Sequence, residues 1–436
     1  MPLQEVGGGG PDLPSSPLDM STTNEGRDAS GGLGLWLIGA KGAIASCVTY
    51  GLAGLAGGWV ERVGLVTELT PFEGLDLAGF DAMVLGGWDV TSRPLSDTVS
   101  ALVREGVLPP DLVASASVQA AAFEARVRPG VLDGPEVGAF DLDPEAARRG
   151  SLAPREQIAE LRADLEAFRD EHDLERVVVV DLSSVEAYRA GLAEDAALAD
   201  LAALEAALDA GRSLPASILY AYAALGAGCP FVEFTPNSGA TTAALRELAV
   251  REGVPHCGND AKTGETLFKT ALAPMFAARN LKVLSWQGYN MLGNGDGEVL
   301  ANPANREGKL RNKDVVLEEI LGEHHSHVAI DYVPSLGDWK TAWDFVHFEG
   351  FLGARMSMQI TWAGCDSALA APLVLDLARL CDLAARRGEA GEMAHTGCFF
   401  KSPIAGGSHD LFTQFRTLVD YAAGCRGTGP LTPDAP

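Results

Sequence analysis

The 436-residue sequence lacks the features of a membrane-spanning, exported or disulfide-bonded protein. No uninterrupted apolar run approaches the roughly 20 residues that a transmembrane helix needs. The N-terminus has no basic region followed by an apolar one, as a secretory signal would have. The seven cysteines form no CxxC pair, which argues against a zinc knuckle or a disulfide framework. We therefore expect a cytoplasmic protein with reduced, mostly buried thiols.

Positive charge is also scarce. The net charge of −26 argues against nucleic-acid binding, and an anionic substrate would need a local cluster of cations. Of the 33 basic residues only eight are lysine, and seven of these lie between residues 262 and 401. Lysine, unlike arginine, readily loses its proton in a desolvated site. These lysines are therefore candidate chemical groups, with a solvated surface position as the alternative for each.

The first half of the chain has the pattern of a parallel α/β sheet. Residues 1–30 are rich in Gly, Pro, Ser and Asp, which indicates a disordered arm. A predicted strand at 34–38 runs into GAKGAIA at 39–45, and a small-residue helix continues to about residue 55. Strand, glycine turn and helix together are typical of a dinucleotide-binding unit, although GxxGxxA is a weaker signal than GxGxxG. Further strands at 81–85 and 176–181 and helices at 155–174 and 195–210 continue the alternation.

From about residue 258 the composition changes. Gly, Asn, Asp, Lys and Thr cluster at 258–266, 288–305 and 334–340, between strand-like runs at 282–286, 327–333 and 356–362. We interpret this part as a second domain that carries polar loops on a sheet, with a helix at 371–386 returning to the first domain. The predicted division is an arm at 1–30, a dinucleotide-binding domain at 31–257 completed by 371–425, a catalytic and oligomerisation domain at 258–370, and a tail at 426–436.

Two polar loops stand out. In GNDAKTGET at 258–266, Thr263 or Thr266 suits a helix N-cap, and Gly264 would let the backbone approach a ligand. The pattern favours equally a phosphate cradle and an ordinary capped helix. The segment YNMLGNGDG at 289–297 predicts a loop that presents amide and carboxylate groups, with a long turn as the alternative.

Charged side chains near these loops add to the candidates. Lys309 and Lys313 would share one face of a helix, where an anion between them would relieve their repulsion. Asp338 and Lys340 follow a turn, and Lys401 lies in an apolar stretch that would lower its pKa if buried. The cluster His324, His325 and His327 favours structural or exposed histidines over a metal site. No metal site is predicted.

At these loops the sequence resembles the myo-inositol-1-phosphate synthase family. Family motifs of the form GDDxKSGQTK, SYNHLGNNDG, two lysines and YxPxxGDSK correspond in order to GNDAKTGET at 258–266, QGYNMLGNGDG at 287–297, Lys309 with Lys313, and YVPSLGDWK at 332–340. GWD at 87–89, CPF and TPN within 229–237, and CDSALAAPLVLDL at 365–377 extend the match, so that the resemblance covers about 30–405.

The resemblance implies an α/β fold with an NAD-binding Rossmann domain, which is a doubly wound parallel sheet, and an α+β domain for catalysis and tetramer formation. It also implies conversion of glucose 6-phosphate to inositol 3-phosphate without net redox change. In that reaction NAD oxidises C5 of the open-chain sugar, the enolate at C6 attacks the C1 aldehyde, and NADH then reduces the C5 ketone. Inositol and phospholipid biosynthesis would be the setting, in a cytoplasmic homotetramer without membrane or nucleic-acid partners.

The family's functional residues transfer by motif position. The implied catalytic set is Lys309, Lys313, Lys340, Lys401 and Asp296, with Lys309 as the base at the C5 hydroxyl and with Lys340 and Lys401 stabilising the enolate and aldol oxygens. The implied phosphate-binding set is Thr263, Gly264, Glu265, Thr266 and Lys313. The implied NAD-binding or site-organising set is Gly39, Gly42, Ala43, Asp89, Ser183, Ser184, Asp260, Asn294, Gly295, Asp296, Gly337, Asp338, Asp366 and Ser367.

The sequence departs from the family pattern at several of these positions. The glycine turn is GAKGAIA, Glu265 replaces a glutamine of the phosphate loop, and Asp331 stands where lysine is usual. The segment at 181–187, DLSSVEA, also lacks the family's arginine. Two alternatives therefore stay open. One is a related cyclase that closes a ketose phosphate such as fructose 6-phosphate to a five-membered ring, and the other is a non-catalytic NAD-binding regulator.

Overall fold

The computed structural model describes residues 32–132, 141–186, 191–192, 194–293 and 317–427. A seven-stranded sheet has the order β11-β6-β5-β4-β1-β2-β3, and every neighbouring pair is parallel. Its strands are β1 Gly32–Ile38, β2 Met83–Asp89, β3 Val127–Pro129, β4 Leu174–Asp181, β5 Phe231–Glu233, β6 Pro255–Gly258 and β11 Gly391–Glu392. The predicted parallel α/β sheet is confirmed.

Helices cover both faces of this sheet because the alternate side chains of its strands are apolar on both sides. Leu35 and Leu37 of β1 pack on one face, and Trp36 and Ile38 pack on the other. The helices described in this half are α1 Ala43–Ala56, α2 Leu95–Arg104, α3 Pro110–Ser115, α4 Ser117–Glu124, α5 Pro144–Gly150, α6 Pro154–Glu171, α7 Leu201–Asp209, α8 Ala216–Gly226 and α9 Ala243–Arg251.

A second, four-stranded sheet has the order β10-β9-β7-β8. Strands β7 and β8 are parallel, whereas β9 is antiparallel to both β7 and β10, so the sheet is mixed. The elements of this part are α10 Glu265–Ala278, β7 Lys282–Leu292, β8 His325–Tyr332, β9 Trp339–Glu349 and β10 Arg355–Cys365. Helix α10 covers one face, where Phe276 packs against Trp286, Ala342 and Val346.

The chain then returns to the first sheet. Helix α11, Asp366–Arg386, packs beside α1 through apolar residues such as Val374 and Leu377, and α12, Leu411–Gly427, follows. The predicted returning helix is confirmed and begins five residues earlier than expected. The domain limits themselves stay a prediction. Among the residues described, no helix combines the length and apolar character that crossing a membrane demands.

Two local predictions were wrong. The residue that precedes α10 is Gly264, and no side chain caps this helix, so neither Thr263 nor Thr266 is its N-cap. The predicted loop at 289–297 is strand as far as Leu292, because these residues pair with β8 on one side and with β9 on the other. The remainder of that segment, with Asn294, Gly295 and Asp296, lies outside the described residues, as do Lys309 and Lys313.

Candidate active site

A cavity of about 260 Å³ lies where the carboxyl ends of the parallel strands meet the second sheet. Carboxyl ends of parallel strands are the usual place for ligand sites in such folds. Most of the predicted site residues that the structure describes line this cavity: Gly39, Gly42, Ala43, Ser183, Ser184, Asp260, Thr263, Gly264, Glu265, Thr266, Asp338, Lys340, Asp366, Ser367 and Lys401. Residues up to 362 positions apart in sequence, Gly39 and Lys401, therefore meet at one place.

The glycine turn after β1 forms one edge of the cavity. Gly39 has a φ of +81°, and a Cβ there would lie 2.9 Å from the carbonyl oxygen of Leu182, so only glycine fits. Helix α1 begins at Ala43 after Gly42, without a side-chain cap. Its first N–H groups have no intrahelical acceptor, and Ala43, Ile44 and Ala45 all line the cavity. This end of α1 is suited to an anionic group such as a pyrophosphate.

A second cavity, of about 350 Å³, lies on the other side of the same turn and shares Gly39, Gly42 and the segment after β4 with the first. Asp89 lines it at the end of β2. Its carboxylate accepts hydrogen bonds from the backbone N–H groups of Lys41, at 2.7 Å, and Thr91, at 2.9 Å. Desolvation by the surrounding protein raises the pKa of Asp89, and these donors oppose that shift. Asp89 therefore holds the glycine turn in place from the side of the second cavity.

The loop before α10 forms the opposite edge of the main cavity. Thr263 donates from Oγ1 to Oδ1 of Asp366 at 3.2 Å. A Cβ on Gly264 would lie 3.7 Å from Nζ of Lys340, so the backbone of this residue is close to the ammonium group. The first two N–H groups of α10 have no intrahelical acceptor. Helix end, threonine and ammonium group together can bind an anion such as a phosphate.

Two ammonium groups reach the cavity, each beside a carboxylate. Nζ of Lys340 lies 3.3 Å from Oδ2 of Asp366, and Nζ of Lys401 lies 2.7 Å from Oδ1 of Asp260. Both lysine side chains are 14% exposed. The backbone N–H of Lys401 also donates to the carbonyl oxygen of Asp260 at 2.7 Å. Ammonium groups that line a cavity in this way can stabilise negative charge that develops on a bound molecule.

Asp338 is a supporting group in the wall. Its carboxylate accepts from Oγ of Ser367, at 3.0 Å, and from Sγ of Cys365, at 2.9 Å. Burial raises its pKa. Its neighbour Gly337 does not line the cavity. A Cβ on Gly337 would lie 2.3 Å from the carboxyl carbon of Glu105, whose Oε2 accepts from the N–H of Asp338 at 2.6 Å. Gly337 thus allows this turn to pack on the residue that follows α2.

Glu265 takes a different direction from the one expected of a phosphate-loop residue. Its Oε1 lies 2.6 Å from Nζ of Lys269, and its Oε2 accepts from Nδ2 of Asn290 at 2.6 Å. Lys269 also lies 3.6 Å from Oδ1 of Asp344, which in turn accepts from Nε1 of Trp286 at 2.6 Å. The carboxylate therefore belongs to a buried ionic cluster between α10 and the second sheet.

Two lysines of this region were candidates by composition only and are absent from the residue sets that the motifs imply. Lys269 could have been found, because it stands four residues after Glu265 on a predicted helix. Lys262 is almost fully buried, donates to Oε1 of Gln414 at 2.7 Å, and has a pKa lowered by burial to about 8. Its partner on α12 is 152 residues away, so no local signal pointed to it.

No group of three or more His, Cys, Asp or Glu side chains suited to a metal ion occurs within the described ranges. Of the three clustered histidines, His325 and His327 lie on β8, and His324 donates from Nδ1 to the carbonyl oxygen of Gly322 at 2.8 Å.

Comparison with known proteins agrees with this geometry. A family model of NAD-binding proteins, described as myo-inositol-1-phosphate synthase, matches residues 33–422. An inositol-3-phosphate synthase of Bacteroides thetaiotaomicron is 32% identical over 428 residues, which cover 90% of this chain and 95% of that protein.

Two solved structures share the fold. One is inositol-3-phosphate synthase from Caenorhabditis elegans, with a TM-score of 0.76 and 23% identity over 92% of this chain and 86% of that chain. The other is a myo-inositol-1-phosphate synthase-related protein from Thermotoga maritima, with a TM-score of 0.71 and 23% identity over 90% of this chain and 98% of that chain. The chain described here belongs to the myo-inositol-1-phosphate synthase family and is an enzyme of the isomerase-type cyclase class.

Proposed function

We propose that this enzyme binds NAD and converts D-glucose 6-phosphate to 1D-myo-inositol 3-phosphate in a redox-neutral cyclisation. The observation that carries the proposal is that the glycine turn, the loop before α10, Lys340 and Lys401 all face one cavity. A dinucleotide and a phosphorylated sugar bound there would be in contact.

The residues of the glycine turn fit a dinucleotide. The backbone at Gly39 has no room for a Cβ, and the uncapped end of α1 offers N–H donors to a pyrophosphate. Ser183 and Ser184 line both cavities and supply hydroxyl groups between them. NAD, when bound, supplies a reversible hydride acceptor. The chain itself would hold the cofactor and the sugar next to each other.

The phosphate of the sugar would bind at the N-terminus of α10, through Thr263, Thr266 and the backbone of Gly264, with Lys313 assigned by motif position. Lys340 is next to this end of the helix and would stabilise the enolate oxygen. Lys401 would stabilise the aldol oxygen, and Asp260 holds its ammonium group in place. Lys309 is assigned by motif position as the base at the C5 hydroxyl. Charge stabilisation by preorganised cations is the largest contribution such a site makes to rate.

We also propose that four copies associate through the second sheet. The face of this sheet away from α10 carries aromatic rings in contact: Tyr289 with Trp343, at a centroid distance of 5.6 Å, and Trp343 with Phe345, at 6.5 Å. Tyr289 is 37% exposed. Exposed, contiguous apolar surface of this kind is typical of protein–protein interfaces. Light scattering of purified protein tests the number of copies.

The test of activity uses purified protein, NAD and carbon-labelled glucose 6-phosphate, with fructose 6-phosphate in a parallel sample, and identifies products by NMR. A six-membered cyclitol phosphate from glucose 6-phosphate, without net accumulation of NADH, is the expected result. A five-membered product from fructose 6-phosphate alone would replace the proposed substrate. Absence of any product from protein that binds NAD would identify a regulator. Lys309→Ala should abolish turnover and leave NAD binding intact.

A further inference from the structure

Two acidic residues end adjacent strands directly below the cavity wall. Asp181 is the last residue of β4, Glu233 is the last residue of β5, and they are register partners in the parallel sheet. Side chains at paired positions of adjacent strands point to the same face of a sheet, so the two carboxyl groups are neighbours. Both residues are completely buried.

One oxygen of each carboxyl group has ordinary donors, and the other oxygen has none. Oδ1 of Asp181 accepts from the N–H of Ser183 at 2.9 Å, and Oε1 of Glu233 accepts from Oγ1 of Thr235 at 2.7 Å. The other two oxygens are Oδ2 of Asp181 and Oε2 of Glu233. With both groups ionised, neither oxygen accepts a hydrogen bond from any described residue. The two side chains nevertheless lie within hydrogen-bonding reach of each other.

We propose that Asp181 and Glu233 share one proton, so that the carboxylic acid of Glu233 donates a hydrogen bond to the carboxylate of Asp181 and fastens together the two loops that line the cavity. Two ionised carboxylates side by side would repel each other and leave both oxygens without donors. One proton between them removes both penalties. The two residues are positioning residues, because neither belongs to the cavity lining.

The electrostatic surroundings favour retention of this proton. Burial and the neighbouring Asp181 hold the pKa of Glu233 well above its ordinary value, and burial raises the pKa of Asp181. The other charged group that acts on Glu233 is also acidic: Glu186, whose carboxylate accepts from the N–H and Oγ of Ser217. No lysine or arginine is among the main groups that shift either pKa.

A small hydrogen-bond network connects the pair to the cavity, beginning with the N–H of Ser183, which donates to Asp181. Asn237, from the loop after β5, donates from Nδ2 to Oγ of Ser183 and to the carbonyl oxygen of Ser184, both at 3.2 Å. Ser183 and Ser184 line both cavities next to the glycine turn. A Cβ on Gly239 would lie 1.8 Å from Oε2 of Glu233, so any larger residue there would require the carboxyl group of Glu233 to move. The pair thus holds the serines where a bound cofactor would meet them.

Infrared spectroscopy tests the shared proton without any reference to activity. At about pH 8, full-length wild-type protein should show the carbonyl stretch of a protonated carboxylic acid that is missing from Glu233→Gln. Glu186→Gln, in which a carboxylate with ordinary donors is replaced, should keep that band. Asp376, whose pKa is raised by burial to about 6, is ionised at this pH and does not contribute. A wild-type spectrum that matches that of Glu233→Gln would overturn the proposal.

Measurement of NAD binding tests whether the pair positions the cavity loops. This second test, unlike the infrared one, rests on the proposed function. Glu233→Gln keeps a donor for Asp181, so its Kd for NAD should stay within a few-fold of wild type. Glu233→Met offers no donor and should raise the Kd roughly 10- to 100-fold, with a smaller effect on kcat at saturating NAD. Equal weakening in both variants would show that the donor is irrelevant. If wild-type protein binds no NAD, the proposed function fails, and the infrared result still decides on the proton.

Discussion

Four lysines lie close together in this enzyme but in two kinds of surroundings. Lys340 and Lys401 reach the cavity, and each has a carboxylate beside it. Lys262 and Lys269 are almost fully buried behind the cavity, where they join α10 and the preceding loop to other elements. All four were candidates by composition alone. The rarity of lysine in the sequence therefore does not show whether a given lysine has a chemical or a structural role. Its partner and its exposure in the fold do.

The distinction has a physical basis. A cavity lysine can contact both its carboxylate partner and an anion on the substrate, because its ammonium group lies at the cavity wall. A buried lysine cannot do so, since its movement would leave a carboxylate buried without its cation. Substitutions should therefore affect activity in the first pair and stability in the second.

Lys340→Ala should show the largest effect, a loss of roughly 10²–10⁴-fold in kcat. The reason is that the ammonium group faces the N-terminus of α10, where the sugar phosphate is proposed to bind. Steady-state assay with NAD and sugar phosphate measures the loss, and the melting temperature should stay close to that of wild type. Lys282→Ala, which alters an exposed lysine at the start of β7, is the matched control. Normal turnover by Lys340→Ala would remove this residue from the catalytic set.

The fold could be predicted from the sequence to a large extent. The strand, glycine turn and helix at 34–55 formed as expected because their small and apolar residues specify that geometry locally. The helix ends and loops after residue 258 were less predictable. Gly264 rather than a threonine precedes α10, and β7 continues to Leu292, because pairing with β8 and β9 decides where that strand ends.

The cavity lining followed from motif order, whereas the supporting contacts did not. Lys262 meets Gln414, and Gly337 meets Glu105, across 152 and 232 residues that carry no shared pattern. Asp181 and Glu233 are likewise neighbours only because β4 and β5 pair. Such contacts depend on how the elements pack, and spacing in the sequence does not encode them.

Lys269→Met should have the largest effect on stability. The change leaves the carboxylates of Glu265 and Asp344 buried without this cation, which typically destabilises a fold by about 3–5 kcal/mol. Urea unfolding followed by fluorescence measures the free energy of unfolding. Lys282→Met, at an exposed site, should change it by less than about 0.5 kcal/mol. If both variants unfold at the same urea concentration, the ionic cluster does not stabilise the protein.

Lys262 should make stability depend on pH. Burial lowers its folded-state pKa from 10.5 to about 8, so between these values the folded chain binds fewer protons than the unfolded chain. Stability therefore rises with pH in this window, while below it folding carries the full penalty of burying the charge. Relative to Lys262→Met, wild-type protein should gain on the order of 2 kcal/mol between about pH 7 and pH 10. A difference between the two proteins that does not vary with pH would mean that Lys262 titrates normally.

Glu265→Gln should have the smallest effect. It tests the distinction between cavity and buried groups directly, because Glu265 lies at the boundary between the cavity and the buried ionic cluster. Its carboxylate contacts Lys269 and Asn290, so the substrate phosphate should not meet an opposing charge. We expect KM for the sugar phosphate to change by less than a few-fold, and the free energy of unfolding to fall by about 1–2 kcal/mol as one hydrogen-bonded charge is lost. If instead the carboxylate faced the phosphate, its removal would lower KM at least about tenfold, since like charges a few ångströms apart repel by more than 1 kcal/mol. A large drop in KM with unchanged stability would thus place Glu265 with the cavity residues.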